Sequence, residues 1–222
     1  MNDIINNIES IKSEISKYVK KRLTEFKKLG KNNLTKYNFK PFMDIEEFEA
    51  DIFSEACFCI LTANSSAKLG IKIQKDIGIE GFRKYTLSQL TQILKKHGHR
   101  FAKQRAERII KLRKQINFIY NIIKEKDVIK IRKKLVENIY GYGYKESSHF
   151  LRNIGFSDVA IIDRHILRYL IEHKLVEPRK TITPRAYIEA ENALKQICTK
   201  LNIKQAELDL YIFYAQTKVM LK

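Results

Sequence analysis

Apolar residues in the first segment recur at Ile4, Ile8, Ile11, Ile15, Val19, Leu23 and Phe26, in steps of four and three. That spacing makes one stripe of a helix predicted over 3–29, with Gly30 as its stop and lysine on the opposite face. An Asn- and Lys-rich linker over 31–41 follows and ends at Pro41. Asp44 to Ala63 reads as one helix entering the core, acidic at its start and densely apolar across Phe53, Ala56, Phe58, Ile60 and Leu61. From Thr86 the pattern is helical almost to the end, broken at Gly98, at Gly141 and Gly143, at Gly155 and at Glu177-Pro178. Thr183-Pro184 has the form of an N-cap followed by proline at the first helical position, opening a helix to about Leu201. A last helix starts near Lys204. No alternating run is long enough for a strand, so the fold class is all-α, and 1–222 is taken as one domain.

Composition narrows what such a bundle can do. The 222 residues carry 43 Lys+Arg against 25 Asp+Glu, a formal charge of +18, while 44% of them are hydrophobic. The chain therefore folds, and its surface field suits a polyanion. No apolar stretch approaches the roughly 18 residues that span a bilayer, and the opening MNDIINNIESIK has no signal-like core, so a cytoplasmic protein is expected. Cys57, Cys59 and Cys198 make neither an even disulfide set nor a CxxC pair, which predicts buried, reduced thiols. An iron–sulfur cluster would want about four thiolates.

The charge is densest between Lys95 and Lys114. There Lys95, Lys96, Arg100, Lys103, Arg105, Arg108, Lys111, Arg113 and Lys114 face a single acid, Glu107. Interspersed Phe101, Ala102, Ile109, Ile110 and Leu112 make this an amphipathic helix with a basic outer face. Any one of these lysines could be a solvated surface residue; the cluster points to phosphate binding.

The chemistry is carried further along. Leu135 to Arg152 reads helix, tight turn, helix, about 132–154 in all, with Gly141 and Gly143 at the turn. Backbone N–H groups at the start of the second helix can hold a phosphate with no side chain involved, although ordinary helical hairpins also use glycine. Lys145 opens that second helix, where a solvent-facing lysine is the ordinary reading. Asp163 comes eighteen residues later, immediately before Arg-His-Ile-Leu-Arg. As an N-cap it would contribute about 1 kcal/mol, which alone would explain an aspartate there.

The stretch GYGYKESSHFLRNIGFSDVAIIDRHILRYL resembles the helix-hairpin-helix of the DNA glycosylase (HhH-GPD) superfamily, lysine and aspartate included. More narrowly it is similar to the archaeal-type, or type 2, 8-oxoguanine DNA glycosylase/AP lyases. The similarity is close over Ile139–Leu170 and extends over Phe53–Lys222; residues 1–40 add little to it.

That resemblance implies two helical lobes and a bifunctional enzyme acting as a monomer on duplex DNA containing 8-oxoguanine, in the cytoplasm of a prokaryotic cell. Lys145 is the nucleophile and Asp163 its carboxylate partner. Lys222 helps to distinguish 8-oxoguanine from guanine, a terminal position that without the family would read as frayed. Phe213 and His149 sit where the flipped base needs stacking surfaces, with core packing as the alternative; the chain has no Trp, which the family often uses there. Gly141 and Gly143 contact DNA, and Asn64, in Asn64-Ser65-Ser66, falls where the superfamily fills the gap left by the flipped nucleotide, or caps a helix. No cofactor, metal or iron–sulfur cluster is implied. A glycosylase for oxidised pyrimidines and a non-catalytic helix-hairpin-helix binding module are the alternatives.

Overall fold

A computed structural model describes residues 1–179 and 181–222. Among the described residues there are eleven helices and one two-stranded sheet. The first helix, α1, runs Asn2–Asn32, past Gly30, and ends where Asn33 takes a left-handed conformation. Its stripe is buried as predicted, save that Leu23 is only partly so, and Arg22 and Glu25 are buried with it and pair with each other.

The expected 31–41 linker contains the end of the first helix and a four-residue strand. β1 (Leu34–Tyr37) pairs antiparallel with β2 (Phe48–Asp51), so the helix expected from Asp44 begins only at Ile52. The pairs are too short to show a period in the sequence, and what the ladder secures is an aromatic cluster, with Tyr37 opposite Phe48 and Phe39 beside both. Asp51 is the N-cap of α2 (Ile52–Thr62), in a capping box with Ser54. Every residue of α2 is buried, which makes it the axial helix of the core.

α3 (Ala67–Lys84) starts at a Ser66 cap and kinks at Gly78; α4 (Leu87–Lys96) starts at Thr86. The basic run is therefore not one helix: the chain turns at Gly98 and resumes as α5 (Ala102–Arg113). Short α6 (Ile116–Ile122) leads to α7 (Val128–Asn138), and α7 with α8 (Tyr144–Asn153) forms the helical hairpin, starting four residues earlier than the pattern suggested. α9 (Arg164–Glu172), α10 (Pro184–Leu201, capped by Thr183) and α11 (Gln205–Thr217) complete the chain. α8 lies between α2 and α1, and α11 packs on α1 and α9. The approach of α1 to the end of α8 is so close that a Cβ on Gly30 would lie 1.9 Å from the Ile154 carbonyl oxygen.

The three cysteines are free and buried. Among the described residues, no helix is long and apolar enough to cross a membrane.

Candidate active site

The hairpin owes its shape to Gly141, whose φ of 94° lies in the left-handed region that a side chain resists. Gly143 needs no such freedom. Its amide is not offered outward, because the Glu146 carboxylate accepts from it at 3.1 Å in a capping box. The amides of Tyr144 and Lys145, in the first turn of α8, remain as donors for an anion.

The basic stretch beside the hairpin divides by role. Arg105 is buried and donates to the Ala63 carbonyl at 2.6 Å; Arg113 donates to the carbonyls of Phe82 and Tyr85, each at 2.6 Å. These two cap the ends of α2 and α3 and are unavailable to phosphate. Lys95, Lys96, Arg100, Lys103, Lys111 and Lys114 are exposed, and Lys111 stands 4.0 Å over the ring of exposed Tyr140 on the hairpin.

Between the α2–α3 turn, α8, the start of α9 and α11 opens a cavity of about 770 Å³. Its wall brings together Lys145, Asp163, His149, Phe213, Lys222 and Asn64, residues spread over most of the chain. Lys145 is half-buried, and among the described residues its Nζ has neither ion pair nor hydrogen-bond partner. Asp163 caps α9 with one oxygen: Oδ1 accepts from the amides of His165 and Ile166 at 2.8 and 3.0 Å. Structural cap and cavity carboxylate are thus the same side chain, with Oδ2 left for the cavity.

His149 is buried edge-on to Phe58, ring centroids 5.3 Å apart. Burial, reinforced by Arg152, Lys145 and Lys222, drives its imidazole well below the usual range and keeps it neutral. Phe213 is only partly buried and meets His165 edge to face at 5.4 Å. Asn64 is exposed in a left-handed conformation at the cavity rim, and the cap next to it is supplied by Ser66. Gly141 and Gly143 belong to the hairpin, away from the cavity wall.

The chain's last residues are ordered rather than frayed. After α11 the backbone reverses at Lys218, and Met220, Leu221 and Lys222 are buried. The Lys222 ammonium donates to Glu55 and Gln74, each at 2.6 Å, and lies 4.1 Å from the ring centres of both Tyr37 and Phe58. Burial pulls it down to about 8, against the opposing attraction of Glu55. With the side chain held this way, the end of the chain is brought to the cavity.

Four wall or support residues escaped the sequence reading: Glu55, Arg152, Asn153 and Asp209, none more than 3% exposed. A signal existed. An acid inside Ile52–Leu61, and another inside Leu208–Ile212, occupy positions where the pattern demands apolar residues, and a buried carboxylate must have a partner.

A lysine free of partners, a capping carboxylate and an aromatic wall in one cleft, beside a hairpin with basic flanks, is the equipment for covalent chemistry on a nucleotide taken out of a duplex. The 8-oxoguanine DNA glycosylase family model matches residues 19–203. Among curated relatives, the 8-oxoguanine DNA glycosylase/AP lyase of Aquifex aeolicus is 50% identical, across 99% of this chain and all of that one. That of Methanocaldococcus jannaschii is 47% identical, across 99% of each. The crystal structure of the M. jannaschii glycosylase/lyase with a 15mer DNA containing 8-oxoguanine superposes with a TM-score of 0.86, at 43% identity over 99% of both chains. The 8-oxoguanine DNA glycosylase of Thermotoga maritima superposes equally well, TM-score 0.86, at 35% identity over the whole of both chains. With cleft, hairpin and relatives in agreement along its whole length, the chain belongs to the 8-oxoguanine DNA glycosylase family.

Proposed function

We propose that this protein excises 8-oxoguanine from duplex DNA and then cleaves the strand as an AP lyase, with Lys145 as nucleophile. The observation that carries the reading is the unpartnered Lys145 amine sharing one cleft with Asp163. The basic face grips the phosphates, and the damaged nucleotide turns out of the stack into the cleft. The Lys145 nitrogen bonds to C1′ as the bond from C1′ to the base breaks, and the departing base takes up a proton. Asp163 stabilises the positive sugar carbon and handles protons around the amine. Opening of the sugar ring leaves a Schiff base. Loss of a C2′ proton then expels the 3′ phosphate by β-elimination and cuts the strand.

The chemistry asks for no cofactor or metal, since nucleophile and carboxylate are the chain's own. It asks for no second copy either, because one chain supplies the whole wall; the protein is read as a cytoplasmic monomer working on the cell's DNA. Neutral His149 and Phe213 offer surfaces for the flipped base. Gly141 and Asn64 are DNA contacts, Gly141 through the hairpin backbone, while Gly143, its amide held by Glu146, borders the phosphate site formed by the amides of Tyr144 and Lys145. Lys222 contributes its terminal carboxylate: 8-oxoguanine carries a hydrogen on N7 where guanine has a lone pair, so the carboxylate accepts from the lesion and repels the normal base.

Borohydride reduction during reaction with a lesion duplex should trap a covalent protein–DNA adduct. A Lys145→Gln protein that still trapped would overturn the assignment. A panel of oligonucleotides with one lesion each should show excision of 8-oxoguanine ahead of oxidised pyrimidines. Residues appended after Lys222 should reduce discrimination against guanine more than they reduce duplex binding.

A further inference from the structure

A continuous line of polar groups is buried along one side of the cleft. It begins at Lys222, whose ammonium donates to Glu55 Oε2 at 2.6 Å. Glu55 Oε1 accepts from Asn153 Nδ2 at 2.6 Å. The Asn153 Oδ1 accepts from Arg152 Nε and Nη2 at 3.1 and 3.0 Å. Arg152 Nη1 donates to Asp209 Oδ1 at 2.7 Å, and Asp209 Oδ2 accepts from the Ile161 amide at 2.9 Å. Two residues further on is Asp163, whose own amide donates to the Ile161 carbonyl at 3.1 Å.

Five elements, α2, α8, the turn before α9, α11 and the chain end, are joined by this line. Its members are at most 5% exposed. Burying two cations and two carboxylates carries a desolvation cost before pairing, and apolar residues of the same volume would hold a core together at least as well. What ions add is direction. The Asn153 amide cannot be flipped, because that would set its nitrogen against the Arg152 donors and its oxygen against Glu55. Asp209 likewise needs two acceptor oxygens, one for each donor that converges on it. Tyr187 holds the same turn from the other side, donating to the Ala160 carbonyl at 2.9 Å and accepting from the Ile162 amide at 3.1 Å.

Resting on the function proposed above, we infer that this line is a positioning device which couples the chain end, where the base is distinguished, to the turn that aims Asp163, with Asn153 as the joint. Glu55, Asn153, Arg152 and Asp209 are positioning residues. A chain end displaced by the wrong base shifts Glu55 and, through the line, the Asp163 turn, so discrimination acts on the reacting carboxylate as well as on binding.

The test uses full-length protein and a duplex with a preformed abasic site, which offers the chain end no base to read. Single-turnover strand cleavage is measured beside duplex affinity and melting temperature. Asn153→Leu and Asp209→Asn should each slow cleavage about tenfold with affinity within about threefold of wild type. Lys222→Met should slow cleavage at the abasic site as well, and should add little to Asn153→Leu, because the line is already cut. If Asn153→Leu does not fold, Glu55→Gln combined with Asp209→Asn, which keep side-chain volume, take the same test. Cleavage at the abasic site unaffected by Lys222→Met, or losses that multiply as for independent sites, would overturn the inference. A wild-type protein that neither excises the lesion nor cuts the abasic site would instead sink the function on which it rests.

Discussion

Lys95, Lys96, Lys103 and Lys111 stand in solvent, whereas Arg132, Arg152 and Lys222 are each no more than 5% exposed and paired with Glu191, Asp209 and Glu55. The same formal charge does different work in the two places. In water it is screened within about 8–10 Å, acts on any phosphate, and tolerates loss of a member. Inside, each cation is bound to particular oxygens, and removing one partner strands the other. Lys145 belongs to neither set: it is half-buried and, among the described residues, unpartnered, as the proposed reaction needs.

Moving Lys145 out of its class should have the largest effect. Lys145→Gln is expected to lower lesion excision by more than about ten-thousandfold and to abolish trapping, read by single-turnover kinetics on a lesion duplex. Next come the buried pairs. Arg132 donates two bonds to Glu191, at 2.7 and 2.9 Å, so Glu191→Ala leaves an unpaired buried guanidinium and should cost about 3–5 kcal/mol in urea unfolding. Loss of less than about 1 kcal/mol would break the distinction drawn between inside and outside.

Asp163→Asn should slow excision by about a hundredfold with duplex affinity within about threefold, since the amide oxygen can still cap α9 while the charge facing the sugar is gone. Lys222 gives a pH signature. Its folded value of about 8 lies below the unfolded 10.5, so the cost of burying the proton is complete below pH 8 and is relieved as pH rises to 10.5. The stability of wild type relative to Lys222→Met should therefore rise between those limits; a flat difference would mean that the ammonium is not buried in solution. The smallest effect belongs to the surface: Lys103→Ala should reduce the salt slope of duplex binding by about one and leave stability within about 0.5 kcal/mol.

The helical frame was legible because its stripes and caps are local: Thr86, Thr183 and Asp163 cap the helices that they announce. Lys145 and Asp163 were legible as types at a spacing. The β1–β2 ladder was not, since four-residue strands leave no period, and with it was missed the seat that Tyr37 gives Lys222. Arg105 and Arg113 looked like phosphate ligands because nothing local distinguishes a surface arginine from one that reaches a carbonyl across the fold. The line from Glu55 to Asp209 was hidden for the same reason: its links span up to 98 residues of sequence, and only the oddity of charge at apolar positions hints at them.

Gly30 lies outside the active-site cavity, at the contact of α1 with the end of α8. One added methyl there has no room before the Ile154 carbonyl, and Ile154 follows directly on α8, the helix that carries Lys145 in its first turn. A Gly30→Ala protein would have to move one helix against the other like a shim driven into a joint. The site would then be disabled from a residue outside the cavity wall, in the segment whose sequence says least about what the protein does.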